Sequence, residues 1–407
     1  MCVLATLDSK QMAARFLCDA LVRAGVRPWL VDLSLRPHAH DGASVPGKAV
    51  AEASAIEWAA LGRLSRAAAA QVMIAGGTDI VRAKLVAGEI AGVLGLGGAN
   101  GSTMACAIMR ALPVGLPKVM VTPVAATAAV QWYVAESDIA MVPTIGDISL
   151  NRITRAALAN GAAAMAGMAM AWQQRRAVGT PPALVGVSSF GNLQPAVDRI
   201  TLGLERGGFE VIQFHASGPG GRALEQLAAR GELAGVIDLT TSELADLLTG
   251  GVYSAGDRRL TAAGAAGLPQ VVVPGCLDFT NWWVGAVPDR YRHRAFLQYN
   301  AEILLMRTDA AEFAALAGLI GERITAATGP VRVLIPIRGF SGLTGRPVHD
   351  LAGKEVGSWA QPETDRVFVD TLRSQAPAGT VTELPLHIND PQFADACVDA
   401  LLASFRR

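Results

Sequence analysis

The second half of this chain repeats the plan of the first half. Met1–Asp32 aligns without a gap on Leu184–His215, and both stretches read as an apolar strand, a polar loop, an amphipathic helix, a glycine and a second apolar strand. GEIAGVLGL is later matched by GELAGVIDL, and GLPKVMV by GLPQVVV, in the same order. The repeat predicts two similar lobes, residues 1–178 and residues 179–407, and a cleft between such lobes is a natural place for a ligand.

Short apolar runs alternate with helical patterns through both halves. Runs this uniformly apolar are typical of strands that are covered on both faces, as in parallel sheets with crossover helices. The sequence therefore predicts an α/β fold of two doubly wound, Rossmann-like parallel-sheet lobes. The predicted strands are Val3–Thr6, Trp29–Asp32, Val72–Ala75, Gly92–Leu96, Lys118–Val121, Ile139–Val142, Leu184–Val187, Val211–His215, Gly235–Leu239, Gln270–Val273, Ile303–Arg307 and Val331–Ile335.

Composition and charge exclude several classes of protein. Lysine plus arginine equals aspartate plus glutamate at 35 each, so no global field attracts nucleic acid or anionic lipid. The five cysteines are scattered without a CxxC or Cys/His cluster, which argues against a zinc site or disulfides and favours a reducing compartment. The longest apolar run, Gly161–Trp172, is too short to cross a bilayer, and no signal segment is evident. We expect a cytoplasmic protein that binds neither membrane nor nucleic acid.

The best candidate for a ligand-binding loop is GLGGANGST, which begins at Gly95 after an apolar strand. Ligands of open parallel sheets bind outside the carboxyl ends of the strands. Glycines permit close backbone approach, and the N–H groups of a helix start favour an anion such as phosphate. The loop matches neither a full GxGxxG fingerprint nor a P-loop, so glycines that serve packing alone remain the alternative. The candidate phosphate-binding residues here are Gly97, Gly98, Gly101, Ser102 and Thr103.

Two other loops carry charge beside predicted helix starts. Asp8 and Lys10 follow the first strand, where a lysine can neutralise phosphate; a helix cap with a solvated lysine is the alternative. In the second half, Gly220 and Gly221 precede Arg222, which can clamp a phosphate or carboxylate with two hydrogen bonds. A solvated arginine at a helix start is the plainer interpretation.

The remaining candidates lie at strand ends of the second half. His215 is placed to act as an acid or base, or else is a buried histidine bonded to the backbone. Asp238, Thr240 and Thr241 form a polar strand end suited to a ligand; the alternative is that Thr241 or Ser242 only caps the next helix. Asp278 can orient a sugar hydroxyl or hold a hydrated magnesium ion.

The blocks ATLDSK, GLGGANGSTMACAIMR, FHASGPGGRALEQL and VVVPGCLDF occur in this order over nearly the whole chain and together resemble one known family. It is the family of the ATP-binding domain of the tomato mosaic virus resistance protein, with bacterial, fungal and plant relatives. The resemblance implies two Rossmann-like subdomains, ATP bound at loops between them, and dimerisation. The chain departs from the family's pattern at Ala13, where the family carries a glutamate, and at SSFGN (Ser188–Asn192), where it carries Thr-Thr-Pro-Cys.

Three functions are compatible with these features. The leading hypothesis is a homo-oligomeric ATP- or nucleotide-binding protein in which the glycine loop holds phosphates, Lys10 and Arg222 neutralise charge, and Asp278 contacts the sugar or Mg²⁺. The second is a hydrolase or carbon–carbon lyase for a small carboxylated or phosphorylated metabolite, with His215 as acid/base and Asp238 or Asp278 as its partner. The third is an interaction scaffold whose partner surface is shaped by a nucleotide.

Overall fold

The computed structural model describes residues 1–36, 42–175 and 181–405. The chain divides into two compact units, Met1–Thr180 and Pro181–Arg407, called here the N-terminal and the C-terminal unit. The lobe boundary expected at residues 178 and 179 lies outside the described residues, as do both histidines of the polar loop that follows Arg36.

The N-terminal unit is a five-stranded parallel sheet with helices on both faces. Its strands are β1 (Cys2–Ala5), β2 (Trp29–Asp32), β3 (Val93–Leu96), β4 (Lys118–Thr122) and β5 (Ala140–Pro143). Its helices are α1 (Leu7–Arg23), α2 (Gly47–Ala53), α3 (Trp58–Leu61), α4 (Arg66–Val86), α5 (Ala99–Arg110), α6 (Val130–Val134) and α7 (Arg152–Arg175). The strand order is β2-β1-β3-β4-β5. Alternate residues of β1 belong to the two cores: Cys2 and Leu4 pack with α4 and α5, whereas Val3 and Ala5 pack with α1 and α7.

The C-terminal unit contains a parallel sheet of six strands and an antiparallel sheet of five. Its strands are β6 (Leu184–Ser189), β7 (Glu210–His215), β8 (Gly235–Thr240), β9 (Gln270–Gly275), β10 (Phe279–Trp283), β11 (Phe296–Gln298), β12 (Ile303–Arg307), β13 (Val331–Pro336), β14 (Pro347–His349), β15 (Glu355–Ser358) and β16 (Val381–Leu384). Its helices are α8 (Gln194–Arg206), α9 (Pro219–Ala229), α10 (Glu243–Thr249), α11 (Ala262–Ala265), α12 (Ala310–Thr325), α13 (Pro362–Gln375) and α14 (Pro391–Phe405). The parallel sheet has the order β16-β13-β9-β8-β6-β7, and the antiparallel sheet β10-β12-β11-β14-β15.

The two parallel sheets share one topology. In each unit the first strand lies between the second and the third, and the fourth follows the third. The matched glycines after the first helix, Gly25 and Gly208, both have a positive φ, 77° and 86°, which glycine adopts without strain. The predicted fold of two doubly wound α/β lobes is therefore confirmed.

Two strand predictions need correction. Val72–Ala75 is not a strand but part of α4, where Met73 faces the core on a helical stripe with Ala69, Gly76 and Val81. A short apolar run does not distinguish a buried strand from a buried helical turn. Ile303–Arg307 is a strand, β12, but it pairs antiparallel with β10 and β11 and so lies outside the parallel sheet. Among the described residues, no helix combines the length and the apolarity needed to cross a membrane.

Candidate functional site

The N-terminal sheet has its topological switch point between β1 and β3. The chain leaves β1 towards β2 on one side and leaves β3 towards β4 on the other, so the helices α1 and α5 diverge from neighbouring strands. Ala5 at the end of β1 is paired with Leu96 at the end of β3, which brings both strand ends level. In open α/β sheets a crevice for ligands forms at such a point.

A cavity of about 1160 Å³ opens at this position. It brings together four residues that the sequence singled out, Asp8 and Lys10 from the start of α1 and Gly98 and Gly101 from the start of α5. The other lining residues are Thr6, Ser9, Leu35, Arg36, Leu61, Gly62, Leu64, Arg66, Ala69, Ala99, Asn100, Met104, Pro123 and Asp147.

The glycines of the loop after β3 have different structural roles. A side chain on Gly97 would place its Cβ 2.6 Å from the Cα of Gly101, so this glycine is required by the tight turn itself. Gly98 is the N-cap of α5, and a Cβ there would meet nothing within 4 Å. Among the described residues no side chain caps this helix start, and the first N–H groups of an α-helix have no partner within the helix. The open space beside Gly98 is therefore suited to an anion.

The start of α1 is occupied from within the chain. The N–H of Leu7 donates to Oδ1 of Asp32 at 3.2 Å, and the N–H of Asp8 donates to Oγ of Ser34 at 2.9 Å. Asp32 is almost completely buried, so its carboxylate already provides the negative group that a helix start favours. Of the two helix starts at the cavity, that of α5 is the better place for a bound anion.

Lys10 supplies positive charge beside the glycine loop. Its Nζ lies 3.4 Å from Oδ1 of Asp147 and 3.3 Å from the carbonyl oxygen of Ile148, and its side chain is only 16% exposed. Asp147 is 81% exposed, and the pKa of its carboxyl is lowered, first by the N–H of Ile148 and then by Lys10. Because Asp147 is exposed to solvent, its attraction to Lys10 is screened by water, so a phosphate can compete with Asp147 for the ammonium group.

Ser102 and Thr103 both use their hydroxyl groups in hydrogen bonds within the chain, Ser102 in the interior and Thr103 on the surface. Oγ of Ser102 lies 2.8 Å from Oγ1 of Thr122 and is fully buried. Thr103 donates its hydroxyl to the carbonyl oxygen of Ala99 at 3.0 Å. Neither residue is among those lining the cavity, whereas Lys10 and the backbone at Gly98 and Gly101 are.

The glycine loop of the C-terminal unit binds a carboxylate of the chain itself. Oε1 of Glu243 accepts hydrogen bonds from the N–H groups of Gly218 at 2.7 Å and Gly221 at 3.1 Å. A Cβ on Gly221 would lie 2.0 Å from the other carboxylate oxygen, and one on Gly220 would lie 1.9 Å from the carbonyl oxygen of His215. These two glycines, which the sequence assigned to an external phosphate, therefore make room for Glu243 and for the backbone.

Arg259, which the sequence analysis missed, lies beneath this loop and is fully buried. It donates to Glu243 at 2.5 Å and to both oxygens of Asp238 at 2.5 Å. Burial alone would lower the pKa of Arg259, but the carboxylates of Asp238, Glu243 and Glu225 raise it well above its usual value. The arginine is thus a permanent cation at the centre of a buried ion cluster.

In the described structure, His215 and Asp238 do not form the predicted pair of an acid/base and its partner. The oxygens of Asp238 accept from Arg259 and, at 2.7 Å, from Oγ of Ser188. His215 is exposed and stacks on Phe190, with the ring centroids 5.2 Å apart. Partial burial of the ring lowers its pKa, which keeps the imidazole neutral near pH 7.

The other predicted site residues of the C-terminal unit differ in their burial and in their hydrogen bonds. Thr241 donates its hydroxyl to the carbonyl oxygen of Val273 at 3.0 Å, whereas Oγ1 of Thr240 is buried and has no partner within the described residues. Arg222 is half-buried in the first turn of α9.

Asp278 is nearly buried after β9. Its Oδ2 accepts from Oγ of Ser341 at 2.6 Å and from Nε1 of Trp359 at 2.7 Å. Its Oδ1 is buried and meets no hydrogen-bond donor in the part of the chain that the structure describes. Asp278 therefore retains one acceptor for a ligand or a water molecule.

A metal site is not evident from the side chains. Within residues 1–36, 42–175 and 181–405, no group of three or more histidine, cysteine, aspartate or glutamate residues is arranged to hold a metal ion.

Comparison with known proteins assigns the chain to a family. Residues 1–174 match the model of the Uncharacterised protein family (UPF0261) N-terminal domain, and residues 182–405 match that of its C-terminal domain. A UPF0261 protein of Mesorhizobium japonicum is 39% identical over 404 residues, which cover 97% of this chain and 96% of the relative. One of Clostridium tetani is 34% identical, with 98% and 97% covered.

A plant relative matches a smaller part of the chain. The ToMV resistance protein Tm-1(GCR237) of Solanum lycopersicum is 34% identical over 319 residues, which cover 77% of this chain and 41% of that protein. The family models and the bacterial relatives together account for nearly the whole sequence. The chain therefore belongs to the UPF0261 family.

Proposed function

We propose that the N-terminal unit binds a phosphorylated small molecule, with ATP as the leading candidate, in the cavity between the starts of α1 and α5. The observation that supports this most is the meeting of Gly98, Gly101 and Lys10 at the β1/β3 switch point. The phosphates would accept hydrogen bonds from the N–H groups at the start of α5 and a charge-assisted bond from Lys10. Asp8 and Asp147 line the same cavity and are available to the waters of a Mg²⁺ ion that the phosphates carry.

The duplication provides an internal comparison for this proposal. Continuing the alignment of the repeats, Lys10 corresponds to Leu193, Gly97 to Thr240 and Asn100 to Glu243. The C-terminal unit thus has neither the lysine nor the glycine turn at these positions, and Glu243, at the repeat position of Asn100, places its carboxylate on the glycine loop after β7. A second anion in that unit would be repelled by Glu243, so we expect phosphate binding in the N-terminal unit.

Isothermal titration calorimetry with ATP, with and without magnesium, tests the proposal. We expect saturable binding to the wild-type chain and a loss of about tenfold or more in affinity for Lys10→Met, since hydrogen bonds to charged groups contribute about 1.5–3 kcal/mol. Lys354→Met, which removes an exposed lysine of the C-terminal unit, is the matched control and should bind as the wild type does. Absence of binding at millimolar ATP by folded protein would overturn the proposal.

That one ligand contacts both units, and that the chain forms a homo-oligomer, stay predictions from the sequence.

A further inference from the structure

A second wall of the cavity is formed by a segment that has no counterpart in the other half of the duplicated chain. The connection from β2 to β3 covers residues 33–92, whereas its counterpart from β7 to β8 covers only residues 216–234. The additional chain includes α2 and α3 and reaches the cavity at the start of α4. We call its lining residues the insertion wall: Leu35, Arg36, Leu61, Gly62, Leu64, Arg66 and Ala69.

Two adjacent glycines of α4 allow this helix to pack closely on its neighbours in the unit. A Cβ on Gly76 would lie 1.9 Å from the carbonyl oxygen of Val50 in α2, and one on Gly77 would lie 2.7 Å from Cδ1 of Ile108 in α5. Oγ of Ser54 also donates to the carbonyl oxygen of Val72 at 2.7 Å. The start of α4 therefore belongs to the same packed unit as α5, whose start faces the cavity.

Arg66 lies at the start of α4 and lines the cavity. It is the first residue of α4, and a cation at a helix N-terminus opposes the helix dipole. The helix start is already capped by Ser65, whose hydroxyl oxygen accepts from the N–H of Ala68 at 3.2 Å. Arg66 is exposed on the cavity, next to the half-exposed Leu64 and in the same lining as the buried Leu61.

The two walls therefore offer different chemistry to a ligand. The start of α5 and Lys10 offer hydrogen-bond donors and charge, which suit phosphate. The insertion wall offers leucine side chains and guanidinium groups, and a guanidinium stacks on the face of a planar ring while leucine packs against its edge or face. Both features occur in the N-terminal unit, and the C-terminal unit has neither the long connection nor the open glycine turn.

We infer that the insertion wall is the subsite for a planar aromatic ring, the base when the ligand is a nucleotide, and that Leu64 and Arg66 contact this ring. The inference rests on the proposed function, because it assigns the remaining part of the same ligand. It makes the ring, and not only the phosphates, a source of affinity.

Calorimetry with two probes tests the inference: ATP, which carries the ring, and tripolyphosphate, which does not. The wild-type chain should bind ATP about tenfold more tightly than tripolyphosphate. Arg66→Gln and Leu64→Ser should each reduce this ratio severalfold while leaving the affinity for tripolyphosphate unchanged. Lys10→Met should weaken both probes. Arg63→Gln is the matched control, because Arg63 is exposed three residues before Arg66 and does not line the cavity.

Failure of the inference is distinguishable from failure of the proposed function. Equal affinities of the wild-type chain for the two probes would overturn the ring subsite and leave the phosphate site standing. An Arg66→Gln variant that binds both probes equally more weakly would assign Arg66 to the phosphates and would also overturn it. If neither probe binds, the proposed function itself fails.

Discussion

Glu243 holds its carboxylate oxygen 3.1 Å from the backbone nitrogen of Gly221, in a loop where the sequence alone indicates a site for an external anion. The same carboxylate is bonded to Gly218 and to Arg259, and the side chain is fully buried. The negative group that the sequence assigned to an external ligand at this loop is therefore a carboxylate of the chain itself.

Removing this carboxylate should strongly destabilise the chain. Glu243→Ala leaves the buried cation of Arg259 with less compensation and two N–H groups without their acceptor, and breaking a buried ion pair from one side costs about 3–5 kcal/mol. Chemical denaturation measured by circular dichroism gives the free energy of unfolding. Glu363→Ala, at an exposed position of α13, should change it by less than about 0.5 kcal/mol. Equal stabilities of the two variants would contradict the role given to Glu243.

The stability of the chain should fall between acidic and neutral pH because of Asp246. Burial raises the pKa of this carboxyl to about 7, even though hydrogen bonds from Asn281 and Tyr253 oppose the shift. The folded chain holds this proton more tightly than the unfolded chain does. The resulting stabilisation is fully present below the unfolded pKa and is lost as pH rises through about 7.

Asp246→Asn should remove that part of the pH dependence. The amide of Asn281 can rotate to accept from the new side chain, because its Oδ1 is buried without a partner in the described chain. We expect urea unfolding to show a smaller drop in stability from pH 5 to pH 8 than in the wild type, with about 1.4 kcal/mol at stake per unit of pKa shift. Asp289→Asn, at a carboxyl that is 96% exposed, should keep the wild-type slope. An unchanged slope in Asp246→Asn would count against the buried proton.

Two glycines in helix interiors should respond oppositely to alanine. Gly76→Ala places a methyl group 1.9 Å from the carbonyl oxygen of Val50 and should cost about 1–3 kcal/mol or more. Gly167→Ala in α7 meets nothing within 4 Å and should stabilise the chain by about 0.5–1 kcal/mol through helix propensity. Thermal unfolding of both variants checks the signs. A stabilised Gly76→Ala variant would show that α2 is not seated against α4 as described.

Neighbouring glycines of the loop after β3 should separate folding from ligand binding. Gly97→Ala brings its Cβ to 2.6 Å from Gly101 and should destabilise the chain by about 1–3 kcal/mol. Gly98→Ala has open space around its Cβ and should fold normally, but its methyl group occupies the approach to the start of α5. We expect a drop of about tenfold in affinity for ATP by calorimetry for Gly98→Ala. Wild-type affinity in that variant would place the phosphates elsewhere.

The two parallel sheets could be predicted because apolar strand patterns and the internal repeat are visible in the sequence without knowledge of the tertiary structure. The wrong strand at Val72–Ala75 shows the limit, since four apolar residues in a row suit a helix stripe as well as a strand. The antiparallel strands around β12 were largely missed, because several are short and carry mixed polarity.

The candidate site was predictable only in part, and for a physical reason. Gly98 and Lys10 were found because glycine and charge directly after an apolar strand are visible in sequence. In the sequence, Glu243 looks like an ordinary acidic residue in the first turn of a helix. Its hydrogen-bond partner Gly218 lies 25 residues earlier in the chain. Such a pairing depends on the sheet order, which brings β6, β7 and β8 side by side. Arg66 was missed because it is not at a strand end.

The carboxylate of Glu243 has a consequence for how the chain responds to its surroundings. A tethered counter-ion cannot dissociate, so the start of α9 stays held at every concentration of solute. The glycine loop of the C-terminal unit therefore carries its negative group whether or not an anion is dissolved in the surrounding solution. We therefore expect the response of this chain to a dissolved anion to depend on the start of α5 and not on the start of α9.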